Sequence, residues 1–93
     1  MFNHKLIEVM RSCEEILVLY SYMAQMNGCL SEAEVDVITI AAKLWNEIAT
    51  TLLGYDVLVD ADIDNMVNSP TSIPETLARL SNQFNQENTI CNG

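Results

Sequence analysis

Apolar residues at helical spacing dominate the first part of the chain. From Asn3 to about Met26 they recur three and four residues apart, which places them on one face of a helix. Val18, Leu19 and Tyr22 widen that face in the second half of the segment. The pattern predicts a long first helix whose second half is covered on more than one side. The residues of the main face are Leu6, Ile7, Val9, Met10, Cys13, Ile16, Leu17, Tyr20, Met23 and Met26.

The opposite face of this helix is charged and is predicted to be solvated. Its residues are Lys5, Glu8, Arg11, Glu14 and Glu15. The apolar face is larger than a small four-helix monomer easily covers, and Met10, Met23 and Met26 supply side chains that adapt to irregular surfaces. A homodimer through this first helix is therefore a separate hypothesis.

A turn and the start of a second helix follow in residues 27–34. Asn27 and Gly28 form a dipeptide that tolerates positive φ. The Ser31 hydroxyl can accept a hydrogen bond from the Glu34 backbone N–H, and the Glu34 carboxylate can accept one from the Ser31 backbone N–H. This spacing predicts a capping box at Ser31.

The second helix is predicted to run from this cap to Gly54, which supplies a C-terminal stop. Trp45 lies on its apolar face and is predicted to anchor a core or an interface, because a ligand-stacking role would need a pocket. The residues of this face are Val35, Ile38, Ala41, Ala42, Trp45, Ile48, Ala49 and Leu52.

The segment after Gly54 is short, apolar and β-branched. The sequence offers no second strand for it to pair with, so we expect an extended link that tucks Val57 and Val59 under the helices. Asp60 then suits the N-cap of a short third helix over about 60–67. Acidic residues at its start favour the positive end of the helix dipole.

Residues 68–71 break the chain before a short fourth helix. Ser72 and Glu75 have the spacing of a second capping box, and Pro74 lies in the first turn, where its missing N–H costs nothing. The buried stripe comprises Ile73, Leu77, Leu80 and Phe84. Residues 85–93 are predicted to be a flexible polar tail. The predicted fold class is all-α: a compact bundle of about four helices, two long and two short, in a single domain over residues 1–84.

Composition and charge narrow the classes of partner. Of the 93 residues 49% are hydrophobic and 18% charged, a composition typical of a folded domain. Thirteen acidic against four basic side chains give a net charge of −9. That charge argues against direct contact with nucleic acid or with an anionic membrane, and favours a protein partner with a basic surface, or divalent cations.

The inventory of reactive side chains argues against an enzyme. His4 is the only histidine and lies near the start of the chain, which argues against Ser/His and Cys/His catalytic sites and against multi-histidine metal sites. Cys13, Cys29 and Cys91 show no metal or disulfide spacing, which indicates a cytoplasmic chain. No phosphate-binding glycine motif is present, and no apolar run approaches the length of a membrane span. We expect no cofactor and no catalysis.

Six carboxylates lie in the stretch from Glu47 to Glu75, and no basic residue occurs between Lys43 and Arg79. We name these six residues the acidic surface and predict that they bind the partner. They are Glu47, Asp56, Asp60, Asp62, Asp64 and Glu75.

Three of these residues also suggest a cation site. Asp60, Asp62 and Asp64 alternate as at the start of a calcium loop, where oxygens at alternate positions converge on the ion. The remainder of such a loop is missing, because Asn65 and Thr71 stand where a glycine and a bidentate glutamate are needed. The three aspartates are therefore only candidate metal ligands, and the expected alternative is a solvated helix start.

The run from Met23 to Glu34 resembles the tellurite-resistance TerB-like family. That family has an apolar helix, a loop of the form Asp-Gly-x-hydrophobic-Ser-x-x-Glu and a second helix, and here the loop reads Asn27-Gly28-Cys29-Leu30-Ser31-Glu32-Ala33-Glu34. Asn27 replaces the usual Asp, which weakens any metal role. The resemblance implies an all-helical cytoplasmic module that serves bacterial or phage stress and defence systems as an acidic interaction unit, without catalysis.

Three hypotheses for function follow. The first is a non-enzymatic helical interaction module that docks its acidic surface on a basic surface of a partner protein. The second is a phage-type inhibitor that mimics DNA and blocks a nucleic-acid-binding defence complex. The third is a stress protein that binds divalent cations.

Overall fold

Four α-helices and one 3₁₀ turn make up the described chain, a computed structural model that covers the backbone of residues 2–92 and the side chains of residues 4–87. The elements are α1 (Phe2–Asn27), α2 (Glu32–Leu53), α3 (Asp60–Asn68), the 3₁₀ turn (Pro70–Ser72) and α4 (Ile73–Asn92). No strand occurs in residues 2–92. The predicted all-α bundle is confirmed.

α1 and α2 form a helical hairpin whose ends are fixed by local chemistry. Gly28 adopts a left-handed conformation with φ of 82°, and its N–H donates to the Ala24 carbonyl at 2.8 Å. Gly54 closes α2 in the same way, with φ of 87° and an N–H that donates to the Thr50 carbonyl at 2.7 Å. Because glycine has no Cβ, it adopts this conformation at low cost. The predicted ends of both helices are confirmed.

The link from α2 to α3 differs from its prediction at one residue. Val57 is buried as expected, but Val59 is 52% exposed and Leu58 is buried in its place. Adjacent buried residues require a bend, since a regular extended segment alternates its side chains. Asn46 stabilises this bend, because its Oδ1 accepts a hydrogen bond from the Leu58 N–H at 3.1 Å.

The prediction that Asp60 is the N-cap of α3 is wrong, because Asp60 is the first residue of the helix and Val59 precedes it as the cap. The Asp62 carboxylate, three residues after Val59, bonds back to the backbone of the cap residue as in a capping box. Its Oδ2 accepts a hydrogen bond from the Val59 N–H at 3.2 Å. A valine has no side-chain acceptor, so the backbone and a later aspartate start this helix.

The predicted second capping box also does not form as expected. The Ser72 hydroxyl donates to the Ser69 carbonyl at 2.7 Å and accepts from the Asn65 side chain at 3.3 Å. Ser72 ends the 3₁₀ turn, and α4 continues directly from it with Pro74 in its first turn. The hydroxyl therefore ties the end of α3 to the start of α4.

The core lies where α1, α2 and α4 meet. Trp45 is fully buried, and its ring meets that of Phe84 edge to face, with 6.3 Å between centroids and 65° between planes. Its role as a core anchor is confirmed. α3 packs against α2 and α4, and the 3₁₀ turn packs against α1. The other fully buried large side chains are Leu17, Ile38, Met66, Ile73 and Leu80.

The backbone of α4 continues past Phe84, the last residue of its buried stripe, as far as Asn92. It is therefore a third long helix, where the apolar pattern alone indicated a short one. The side chains of residues 88–93 lie outside the described ones, so the predicted flexible tail of residues 85–93 stays a prediction.

Two predictions for α1 are wrong. Leu19 and Tyr22 are exposed, so the second half of the helix is not covered on more than one side. Glu14 does not belong to the solvated face, since it is half-buried and bonded to the core. Met10 is buried within the described chain, which leaves Met23 and Met26 as the methionines of α1 with accessible surface.

Candidate functional site

The turn that carries the TerB-like resemblance forms a complete capping box. The Ser31 N–H donates to Glu34 Oε1 at 2.8 Å, and the Glu34 N–H donates to Ser31 Oγ at 3.3 Å. These bonds satisfy donors that a helix N-terminus otherwise leaves unpaired. The oxygens of Ser31 and Glu34 therefore serve the structure of the turn.

Asp60 and Asp64 form the exposed part of the acidic surface on α3. Four residues separate them, so they lie on the same side of the helix. Both line a shallow hollow whose other wall is α2, and Lys43 of α2 lies in that hollow with them. The positive charge of Lys43 thus partly offsets the negative charge of Asp60 and Asp64.

Asp62 is directed to the other side of α3, two residues from each of its neighbours. Its Oδ1 accepts a hydrogen bond from Arg79 Nη2 at 2.6 Å in an ion pair between α3 and α4. Its other oxygen holds the Val59 N–H. Asp62 is therefore committed to holding α3 in place.

Asp56 likewise has a structural role. Its Oδ1 accepts hydrogen bonds from Asn46 Nδ2 at 3.1 Å and from Thr50 Oγ1 at 2.9 Å, which fastens the link to α2. Glu47 and Glu75 are exposed on α2 and α4. Within the acidic surface, the residues that are exposed and have no structural hydrogen bond described above are thus Glu47, Asp60, Asp64 and Glu75.

This arrangement disfavours a metal at the three aspartates. In a calcium loop alternate residues converge on the ion, whereas in a helix residues two apart point to opposite sides. Asp62 is thereby separated from Asp60 and Asp64. Within the described residues no group of three or more histidine, cysteine or acidic side chains is placed to hold a metal ion.

A strip of large apolar side chains on α1 remains exposed. Leu19 is 55% exposed, Tyr22 59% and Met26 84%. These residues are three and four positions apart, so they follow one line along the helix. We name them the α1 strip. A line of this kind is a typical site for a partner protein.

An open groove between α1 and α4 runs beside the α1 strip and encloses about 660 Å³. Leu19 and Tyr22 line it from α1, and Pro74, Leu77 and Ala78 line it from α4. The α4 side carries mainly small side chains, whereas the α1 side carries large ones. Large apolar side chains of α1 thus form one wall of the groove, and the opposite wall on α4 is lower.

The other end of this groove is charged. Arg11, Glu14 and Glu15 of α1 line it. Glu14 Oε2 accepts a hydrogen bond from the Trp45 indole Nε1–H at 2.9 Å, so a core residue fixes the direction of this carboxylate. A buried indole N–H needs an acceptor, and Glu14 supplies it.

The interpretation of the sequence missed Glu14, although a signal was present. Glu14 lies four residues after Met10 and four before Val18, in a row that is otherwise apolar. A single acid within an apolar row indicates a partner in the core.

Cys13, next to Glu14, is buried and free. Burial raises the pKa of its thiol, and the neighbouring Glu14 carboxylate raises it further. Cys29 in the turn is free and exposed. A neutral buried thiol behaves as a small apolar side chain, so Cys13 belongs to the packing of α1.

Comparison of the chain with protein-family models, with curated proteins and with solved structures found no match. No helix in the described part of the chain combines the length and the hydropathy that a membrane crossing needs.

Proposed function

We propose that this chain is a non-enzymatic interaction module that docks on a protein partner with a basic surface. The observation that carries this proposal is the exposure of the α1 strip, Leu19, Tyr22 and Met26, three large apolar side chains on one line of α1. Apolar anchors of this kind supply most of the affinity of an interface. The resemblance of the Asn27–Glu34 turn to TerB-like proteins supports the same class of role, in a bacterial or phage stress or defence context.

The charge of the chain supports a basic partner. A net charge of −9 attracts a basic protein over a distance and raises the association rate at low salt. Asp60 and Asp64 are the members of the acidic surface best placed to act, since they are exposed on one side of α3. The α1 strip and the acidic surface thus have separate roles, the first in affinity and the second in rate and selectivity.

The test is capture of partners from a lysate of the source organism with tagged protein, washed at low and at high salt. The test variant is Asp60→Asn with Asp64→Asn. A matched control is Glu32→Gln with Asp36→Asn. These two residues have the same spacing as Asp60 and Asp64 and also lie at the start of a helix, and the two substitutions remove the same charge. Asp62 and Asp56 are left unchanged because they hold the fold together.

We expect a salt-sensitive partner whose capture falls in the test variant and persists in the control. Equal capture by both variants would remove the acidic surface from the proposal. Elution of the partner by duplex DNA would favour the DNA-mimic hypothesis. A melting temperature that rises with millimolar calcium would instead favour the cation-binding hypothesis.

A further inference from the structure

We propose that the groove between α1 and α4 binds one amphipathic helix of the partner. Its apolar side chains would lie on Leu19 and Tyr22, and a lysine or arginine would reach Glu14 and Glu15. This inference rests on the proposed function, and it adds the segment of the partner and the place where it binds.

The shape of the groove favours a helix. The strip that borders it runs from Leu19 to Met26 at helical spacing, and such a line matches apolar residues three and four apart on an opposing helix. On the α4 side, Pro74 and Ala78 are small, which lets a third helix approach closely. Residues 2–92 contain no strand, so there is no described sheet edge to which an extended peptide could add.

The length of the occupant follows from the positions of its contacts. Arg11 and Tyr22 are the first and the last residue of α1 that line the groove. At a rise of 1.5 Å per residue they are about 17 Å apart along the helix, roughly three turns. The occupant is therefore a short helical segment with two or three apolar anchors and a basic residue toward one end.

The two glutamates at the charged end of the groove favour a basic residue in the helix that binds there. Glu14 and Glu15 face the groove, and the bond from Trp45 holds Glu14 in a fixed direction. A carboxylate fixed before binding loses little side-chain entropy when a cation pairs with it. Arg11 lies at the same end and opposes a basic residue, so its removal is expected to act opposite to that of the glutamates.

A second copy of this chain fits the groove less well. Each copy carries −9, so two copies repel one another, whereas a basic helix is attracted. A stable symmetric interface also needs about 800 Å² from each partner, whereas the groove follows only about three turns of α1.

The probe for this proposal is a synthetic helical peptide of about 14 residues, roughly four turns, with leucines at helical spacing and lysines elsewhere. A scrambled peptide of the same composition removes the helical spacing. Binding is measured by fluorescence anisotropy of labelled peptide, and the site is mapped by ¹⁵N–¹H NMR on the full chain. We expect shifts of the amides around Leu19, Tyr22 and Ala78.

The variant Leu19→Asn with Tyr22→Ser is expected to lower the affinity for the peptide at least about tenfold, because it removes apolar anchors of the interface. Ile40→Asn is the matched control, because Ile40 is 65% exposed on α2 and does not line the groove. Circular dichroism checks that each variant is folded.

Charge variants give a second readout. Glu14→Gln with Glu15→Gln should weaken binding of the lysine-containing peptide, and Arg11→Gln should strengthen its binding. Glutamine at position 14 keeps an acceptor for the Trp45 N–H, so the core is preserved.

Three outcomes would overturn the proposal: equal binding of the scrambled peptide, equal weakening by Ile40→Asn, or a dimer that the Leu19→Asn with Tyr22→Ser variant converts to monomer. If these occur while Asp60→Asn with Asp64→Asn still abolishes capture of a lysate partner, the groove assignment fails and the interaction module stands. If the peptide behaves as expected but those aspartates have no effect, the groove stands and the acidic surface fails.

Discussion

At the scale of single residues, the bond between Trp45 and Glu14 joins the core to the surface. The indole is fully buried and meets Phe84, whereas Glu14 lies at the charged end of the groove. One hydrogen bond of 2.9 Å thus connects α2 to α1 and fixes a carboxylate at the proposed binding site. A change at either residue affects both stability and binding.

Trp45→Phe is expected to destabilise the chain by about 2 kcal/mol, because it removes a hydrogen bond to a charged group and some buried volume. Glu14→Gln keeps an acceptor and should cost about 1 kcal/mol or less, whereas Glu14→Leu leaves the indole N–H unpaired and should cost about 1–3 kcal/mol. Urea unfolding measures these differences. Equal stability of Trp45→Phe and the parent chain, within about 0.5 kcal/mol, would contradict this role for the bond.

The two described free cysteines are expected to differ in reactivity. Cys13 is 3% exposed, and its raised pKa leaves less thiolate at pH 8, so access and ionisation both slow its reaction. In a Cys91→Ser background, DTNB at pH 8 should modify Cys29 at least about tenfold faster than Cys13. Cys29→Ser identifies the fast phase. Two equally fast thiols in the folded protein would show that the packing around Cys13 opens readily.

At the scale of elements, the ends of α1 and α2 could be predicted because the chemistry that fixes them is local. Gly28, Ser31, Glu34 and Gly54 act within one helical turn of the ends they define. The starts of α3 and α4 could not be predicted in the same way. Asp62 reaches back to Val59 while it pairs with Arg79, and Ser72 bonds to α3, so tertiary partners decide these ends.

The same reason limits prediction of the candidate sites. The carboxylates of the acidic surface could be read from the sequence, but the approach of Lys43 and Arg79 depends on how α2 and α4 pack on α3. The groove needs α4 beside α1, which no local pattern specifies. The local pattern places Glu14 on the solvated face, because its partner Trp45 is 31 residues away in the chain.

Gly54→Ala is expected to destabilise the chain by about 1 kcal/mol. An added Cβ would meet no heavy atom within 4 Å, so the cost comes from the left-handed backbone alone. Gly54→Asn should cost less, since asparagine tolerates this conformation better. Thermal unfolding compares the three chains. A loss with asparagine as large as that with alanine would point to a cause other than backbone conformation.

At the scale of the whole molecule, the described chain is an elongated bundle with principal extents of 44 × 22 × 18 Å. Its net charge acts on every encounter with another molecule. Salt weakens attraction to a basic partner and weakens repulsion between two copies, so the two kinds of association respond to salt in opposite directions.

The homodimer hypothesis is tested by this difference. We expect a monomer by size-exclusion chromatography with light scattering at about 20 mM salt, where the Debye length is above 10 Å and repulsion between copies is strong. Any dimer should appear only as the salt concentration rises. Leu19→Asn with Tyr22→Ser reports whether α1 forms it. A dimer that is tightest at low salt would show that an electrostatic attraction between copies outweighs their net charge.

The short turn between α1 and α2 also has a consequence for the speed of folding. Residues 28–31 bring the two longest helices together as direct neighbours in sequence, with Gly28 and the Ser31 box fixing the reversal. Closing so short a loop costs little chain entropy, and bundles dominated by local contacts fold in microseconds to milliseconds. We therefore expect the hairpin to form first in folding, with α3 and α4 assembling on it in their order along the chain.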